Sequence, residues 1–143
     1  MSNFKYTAGL NNVGSYQVSG APFVSSSIDC AALGGPIKIT FPYVTRWIIV
    51  QNNSVEEPED LKVGFSSFGI TEHNNFFTVF NRQAAINADR SSIIPRLELK
   101  LTELWLTGSS DCEIIAGLTN IPVERVNNIG VSGSNWSGSS GVG

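Results

Sequence analysis

Apolar and polar residues alternate with a period of two along most of the chain, and turn residues interrupt the alternation. Ile37, Ile39, Phe41 and Tyr43 share one parity against Lys38, Thr40 and Pro42 on the other, the pattern of a half-buried strand. The run continues into Trp47-Ile48-Ile49-Val50, apolar on both parities, as expected for a strand at the centre of a sandwich. Pro42 between the two stretches predicts an edge position, a bend or a bulge. Leu61, Val63 and Phe65 alternate with Lys62 and Gly64, and residues 76–80 (Phe-Phe-Thr-Val-Phe) are too short and aromatic for a solvent-facing helix. The longest strand spans residues 97–106. Leu97, Leu99 and Leu101 hold one parity there and Leu104 and Leu106 the other, a phase switch that a β-bulge produces. Residues 113–118 predict the next strand, after the turn at 107–111. Weaker strands fit 16–18 and 23–24, split by Gly20-Ala21-Pro22, with a last short element at 121–126. The one helix candidate is residues 83–89.

Six to eight strands of this kind close as an all-β, antiparallel β-sandwich, jelly-roll-like, because two sheets face to face bury alternating faces. The expected core is Ile39, Phe41, Trp47, Ile49, Leu61, Val63, Phe65, Phe77, Val79, Leu99, Leu101, Leu104 and Ile115. At 143 residues the chain suits one domain, placed at 16–129. Residues 1–15 hold few apolar anchors and read as an extended N-terminal arm. Residues 130–143 form a Gly/Ser-rich C-terminal tail that carries one bulky anchor, Trp136. An indole in such a tail favours a surface to pack on, and a neighbouring subunit is the favoured one. Tyr6 and Tyr16 near the other end are, with Trp136, the candidate partner contacts.

Charge removes several function classes. Nine basic residues against twelve acidic give a net charge of −3, the opposite of a protein built to neutralise phosphates. No apolar run approaches the length of a membrane span, and the N-terminus has no apolar signal-like region. No nucleic acid, membrane or secretion signal is therefore expected. Cys30 and Cys112 lack metal-ligand spacing and read as small buried hydrophobes, with a single disulfide left open. With one histidine, the soft ligands for zinc are too few, so no metal and no cofactor is expected.

Catalytic patterns are equally sparse. His73 has only the adjacent Glu72 to orient it, and strand neighbours point to opposite faces, so it reads as a loop residue. Glu56, Glu57, Glu59 and Asp60 cluster around Pro58 without the spacing of a calcium loop, which favours a solvated acidic loop. Glu98 and Glu103 could work as a carboxylate pair only across a bulge. Gly34-Gly35 precedes Pro36 and a strand rather than a helix, so no phosphate loop follows. Trp47 and Trp105 at strand spacing read as core or sheet-face residues.

Residues 6–24 (Tyr-Thr-Ala-Gly-Leu-Asn-Asn-Val-Gly-Ser-Tyr-Gln-Val-Ser-Gly-Ala-Pro-Phe-Val) resemble the start of small structural proteins of tailed phages and large DNA viruses. The blocks at 75–79, 97–108 and 115–121 are similar to the same virion jelly rolls. The resemblance implies a noncatalytic, non-enzyme virion structural protein: an outer-capsid decoration, cement or fibre-associated subunit at the particle surface. It also implies a homo-oligomer, with a trimer favoured, attached to a capsid or tail protein. The rival reading is a glycan- or receptor-binding β-sandwich that uses exposed aromatics as stacking platforms.

Overall fold

The computed structural model describes residues 20–31, 35–56, 59–83, 92–126 and 135–136. Tyr6, Tyr16, the strand expected at 16–18, the whole of the 1–15 arm and most of the 130–143 tail lie outside these residues. So does nearly all of the helix candidate at 83–89.

The described chain is an all-β antiparallel sandwich. Its elements run β1 (Pro22–Ile28), β2 (Ile37–Thr40), β3 (Tyr43–Asn52), β4 (Leu61–Gly64), α1 (Ser67–Thr71), β5 (Phe76–Val79), β6 (Glu103–Thr107) and β7 (Cys112–Pro122), then a 3-10 turn at Val123–Arg125. One sheet has three strands in the order β1-β7-β3, and the other has four in the order β2-β6-β4-β5. Residues 92–101 run irregularly along the free side of β3, through the bridges Ile48–Leu97 and Gln51–Ile93. Backbone bonds there link Ile48 and Leu97 in both directions at 2.9 Å. The pairings are nested: β4 with β5, β3 with residues 92–101, β2 with β6, and β1 with β7.

The parity switches in the sequence have a common cause. Leu97, Leu99 and Leu101 reach the core from beside the three-stranded sheet, whereas Leu104 and Leu106 reach it from β6 in the opposite sheet. Residues 97–106 are therefore not one bulged strand. The chain crosses between sheets near Thr102, and inward reverses parity when the core is approached from the other side. The same crossing occurs at Pro42, which sits in a bend between β2 and β3. Phe41 is buried on one side of it, and Val44, Ile48 and Val50 on the other. Tyr43, expected to share the face of Phe41, is 44% exposed.

Between the sheets, Ile48, Val50, Ile114, Ala116 and Leu118 meet Leu61, Val63, Val79, Leu104 and Leu106. Phe23 packs edge-on against Phe41 with ring centroids 5.0 Å apart. Of the expected core, Ile39, Phe65, Phe77 and Leu99 flank this cluster, and Phe41, Leu61, Val63, Val79, Leu101 and Leu104 lie within it. Trp47, Ile49 and Ile115 do not. Their neighbours Ile48 and Ile114 take the inward positions, because a stretch apolar on both parities does not declare which parity faces in.

A polar clamp closes one end of the sandwich. Asn52, fully buried, donates from Nδ2 to Glu59 O at 2.9 Å and to Val79 O at 3.1 Å. Its Oδ1 accepts from Ser54 N–H at 3.1 Å and from Ser109 Oγ at 2.7 Å. All four bonding positions of the amide are used, so this buried polar group is fully satisfied. Gly108, at φ +100°, turns the chain there, and a Cβ on it would stand 2.5 Å from Asp60 O. α1 is a single short helix capped by Ser66 Oγ, which accepts from Gly69 N–H at 2.9 Å.

Candidate functional site: the outer face of the three-stranded sheet

Register decides which side chains share the outer face of this sheet. Ile114 and Ala116 of β7 point into the core, so Glu113, Ile115 and Gly117 point out. Val24 of β1 and Ile49 of β3 both pair with Ile115, which sets three aliphatic side chains in one row across three strands. Pro22 and Trp47 both pair with Gly117 in the adjacent row. On the far side, Ile93 is bridged to Gln51. Paired residues on antiparallel strands carry their side chains about 4.5–5.5 Å apart, so these groups form one surface.

A bulge aims Trp47 outward. Thr45 pairs with Leu118 and Trp47 with Gly117, so β3 has one residue more than β7 at Arg46, and parity shifts there. The indole then lies over Gly117, where a Cβ would stand 2.3 Å from Trp47 Nε1. Only glycine leaves room there for the ring.

The resulting face is apolar and open. Val24 is 71% exposed, Ile93 47% and Ile115 41%, while Trp47 and Ile49 are half-buried. Its polar members, Gln51 and Glu113, pair with each other at one end, and Arg46 is exposed beside Trp47. Single exposed aliphatics need no explanation, but here they stand in one register-aligned row on a sheet face.

Beside the four-stranded sheet is a cleft of about 360 Å³ of mixed character, in which Lys38, Glu103 and Glu124 stand with the apolar Phe41, Val123 and Val126. Lys38 Nζ lies 3.6 Å from the largely buried Glu103 carboxylate. Glu98 pairs instead with Arg96 at 3.1 Å on the exposed segment beside β3. The two carboxylates considered as an acid–base pair thus belong to opposite sheets and share no cleft. His73 is exposed in the turn after α1, and among the described residues no nucleophile bonds to it.

In the acidic loop Glu56 is exposed, as expected of a solvated loop, whereas Glu59 and Asp60 are half-buried. Glu59 accepts from the hydroxyls of Ser54 and Ser110 and from Ser110 N–H. The Ser110 hydroxyl, followed by that of Ser54, holds the Glu59 carboxyl below the usual carboxylate range. Asp60 Oδ1 accepts from Asn81 N–H and Nδ2, both at 3.0 Å. Both acids work as clamps on loop backbone. Among the described residues no group of three or more His, Cys, Asp or Glu could hold a metal ion.

Of the expected partner contacts, Trp136 is half-buried in a turn with the exposed Asn135. The surface missed in the sequence is the row Val24–Ile115–Ile49. Its signal was present in the double parity of residues 47–50, which fits an outer apolar face as well as a buried strand. No protein-family model matches the chain, and neither a curated protein nor a solved structure matches it.

Proposed function

We propose that this chain is a noncatalytic jelly-roll subunit that assembles with copies of itself into a virion surface structure, of the decoration, cement or fibre-associated kind. The observation that carries the reading is the open aliphatic row of Val24, Ile115 and Ile49, extended by Ile93. A row of that kind recognises another protein surface by shape and apolar burial. The nested strand pairing supports the fold part of the reading. With residues 92–101 counted as a strand, each of eight strands pairs as in one long hairpin wrapped over itself, the jelly-roll order that capsid domains use. The viral part rests on the sequence resemblance, as does the preference for a trimer.

A glycan-binding module is the weaker reading. Sugars stack on clustered open aromatic faces, whereas Trp105 lies beneath Lys38 and the exposed Tyr43 and Phe68 stand on separate elements, β3 and α1. The register-aligned exposed row is aliphatic.

Light scattering on the full chain tests the proposal. The native chain is expected to be oligomeric at tens of micromolar. Ile115→Lys and Val24→Lys are expected to give monomers with unchanged far-ultraviolet circular dichroism. A monomeric native chain, or charged variants that assemble as the native chain does, would overturn self-assembly through this face.

A further inference from the structure

Cys30 and Cys112 are remote in sequence and adjacent in the fold. Cys30 follows the end of β1, where its N–H donates to Ser109 O at 2.8 Å and its carbonyl accepts from Gly108 N–H at 3.1 Å. Cys112 opens β7 directly opposite Ile28, with its Sγ 3.5 Å from Ile28 O. This register places the two side chains in the same buried cluster at one end of the β1–β7 ladder, with the residues only 1% and 0% exposed. They are the only cysteines in the chain, so an intramolecular bridge has one possible connectivity.

We propose that Cys30 and Cys112 form an oxidisable pair that closes to a disulfide, stapling the edge strand β1 to the central strand β7. Two features of the site fit this chemistry. First, the thiols are unequal: the contact with Cys112 holds Cys30 below the ordinary thiol value, and the same contact with burial pushes Cys112 up. Cys30 follows the edge strand and Cys112 lies on the central one, so Cys30 is reached first when the edge opens and acts as the attacking group, with Cys112 resolving. Second, the end of β1 is its weak point. Register slips between Ser25 and Ile28, and Ser27 sits at φ 55°, in the left-handed region that non-glycine residues seldom occupy. Because β1 is an edge strand, its end can open locally and uncover both sulfurs without unfolding the sandwich.

The oxidant is a low-molecular-weight disulfide such as glutathione disulfide. The Cys30 thiolate attacks one of its sulfurs, forming a mixed disulfide and releasing one small thiolate. Cys112 then loses its proton and attacks the Cys30 sulfur, releasing the second small thiolate. The protein gives up two electrons and two protons, and the oxidant becomes two thiols.

The test exposes the full chain to glutathione disulfide or to dithiothreitol, then denatures, alkylates and weighs it intact. The oxidised chain is expected to be two hydrogens lighter, to take up no alkylating reagent, and to run as a monomer on a denaturing non-reducing gel. It is expected to melt on the order of 10 °C above the reduced chain. Cys112→Ala is expected to stop at the glutathione adduct, and Cys30→Ala to acquire that adduct more slowly. The double alanine variant is expected to melt at the same temperature with or without oxidant. Two alkylatable thiols persisting in the folded chain, under conditions that oxidise the same chain unfolded in urea, would overturn the proposal. So would disulfide-linked dimers in place of the bridged monomer.

Discussion

The two sheets bury similar inner faces and present different outer ones. On the four-stranded sheet the large outward rings lie beneath lysines: Lys38 Nζ is 5.8 Å from the Trp105 ring centre and Lys62 Nζ 4.8 Å from that of Phe76. The lysine ammonium groups lie over these rings, so cation–π contact covers part of their apolar surface. On the three-stranded sheet, Val24 and Ile49 both pair with Ile115, and the row keeps Val24 71% and Ile115 41% exposed. Strands with the same backbone thus do two jobs, and the difference lies in what accompanies the apolar side chains. Aliphatics left uncovered favour association, because covering them returns about 25 cal/mol for each Å² removed from water.

The sharpest way to break this comparison uses two consecutive residues of β7. Ile114 is 1% exposed and Ile115 is 41% exposed. Ile114→Ala is expected to cost about 2–5 kcal/mol of folding stability, the range for a buried large-to-small change. Ile115→Ala is expected to change subunit stability by less than about 0.5 kcal/mol, as for ordinary surface substitutions, while weakening the oligomer. Urea unfolding and light scattering on both variants separate the effects. Equal destabilisation by the two would show that both faces of β7 are core.

Gly117→Ala probes how the outer face is shaped. The new methyl must displace the Trp47 indole, and overpacking of this kind costs about 1–3 kcal/mol. Trp47→Leu in the same chain should recover part of that loss, since the clash is with the ring. Failure of the rescue in urea unfolding would place the strain in the backbone instead.

These two faces also explain what was legible in the sequence. Period-two alternation located β2 and β4 because each has one clearly polar side, whereas β5 was located by its short aromatic run and β7 by its apolar residues between turns. Alternation reported parity and could not report which sheet a strand joins. The switch between Leu101 and Leu104 therefore read as a bulge, where the chain in fact crosses from one sheet to the other. At residues 47–50 and 114–115, apolar residues on both parities concealed which side was inward. An outer apolar face then looks the same as a core. The clamp of Asn52, Ser54, Glu59, Ser109 and Ser110 had no sequence signature, since its members come from separate loops and no chemical motif spaces them. The Cys30–Cys112 contact was invisible for the same reason: it depends on the β1–β7 register.

A smaller effect separates the loop end of the sandwich from its faces. The Glu59 carboxyl is held below the usual range by Ser110 and Ser54, so its bonds stabilise the fold above the unfolded carboxylate pKa. That contribution is lost as pH falls through the folded value. The melting temperature of the native chain should therefore drop on acidification, and less so in Glu59→Gln, where this carboxylate no longer titrates. An aliphatic interface has no such dependence. An identical acid response in native chain and variant would assign the sensitivity to other carboxylates.

The smallest effect tests whether the lysine roof is what makes the second face inert. Lys62 is exposed and its ammonium lies over Phe76, an arrangement worth about 0.5–1 kcal/mol at an exposed site. Lys62→Ala should lower stability by that amount. In a double-mutant cycle with Phe76→Leu the coupling should be of the same size and should shrink in high salt. The more telling readout is association. If uncovered apolar area were enough to drive assembly, Lys62→Ala would aggregate through the newly bared Phe76 even in an Ile115→Lys background. If assembly needs the register-aligned row of Val24, Ile115 and Ile49, the double variant stays monomeric. The second outcome is expected. One bared ring offers far less contiguous surface than a row spanning three strands, and it lacks the flat, close-packed shape a partner can cover without trapping water.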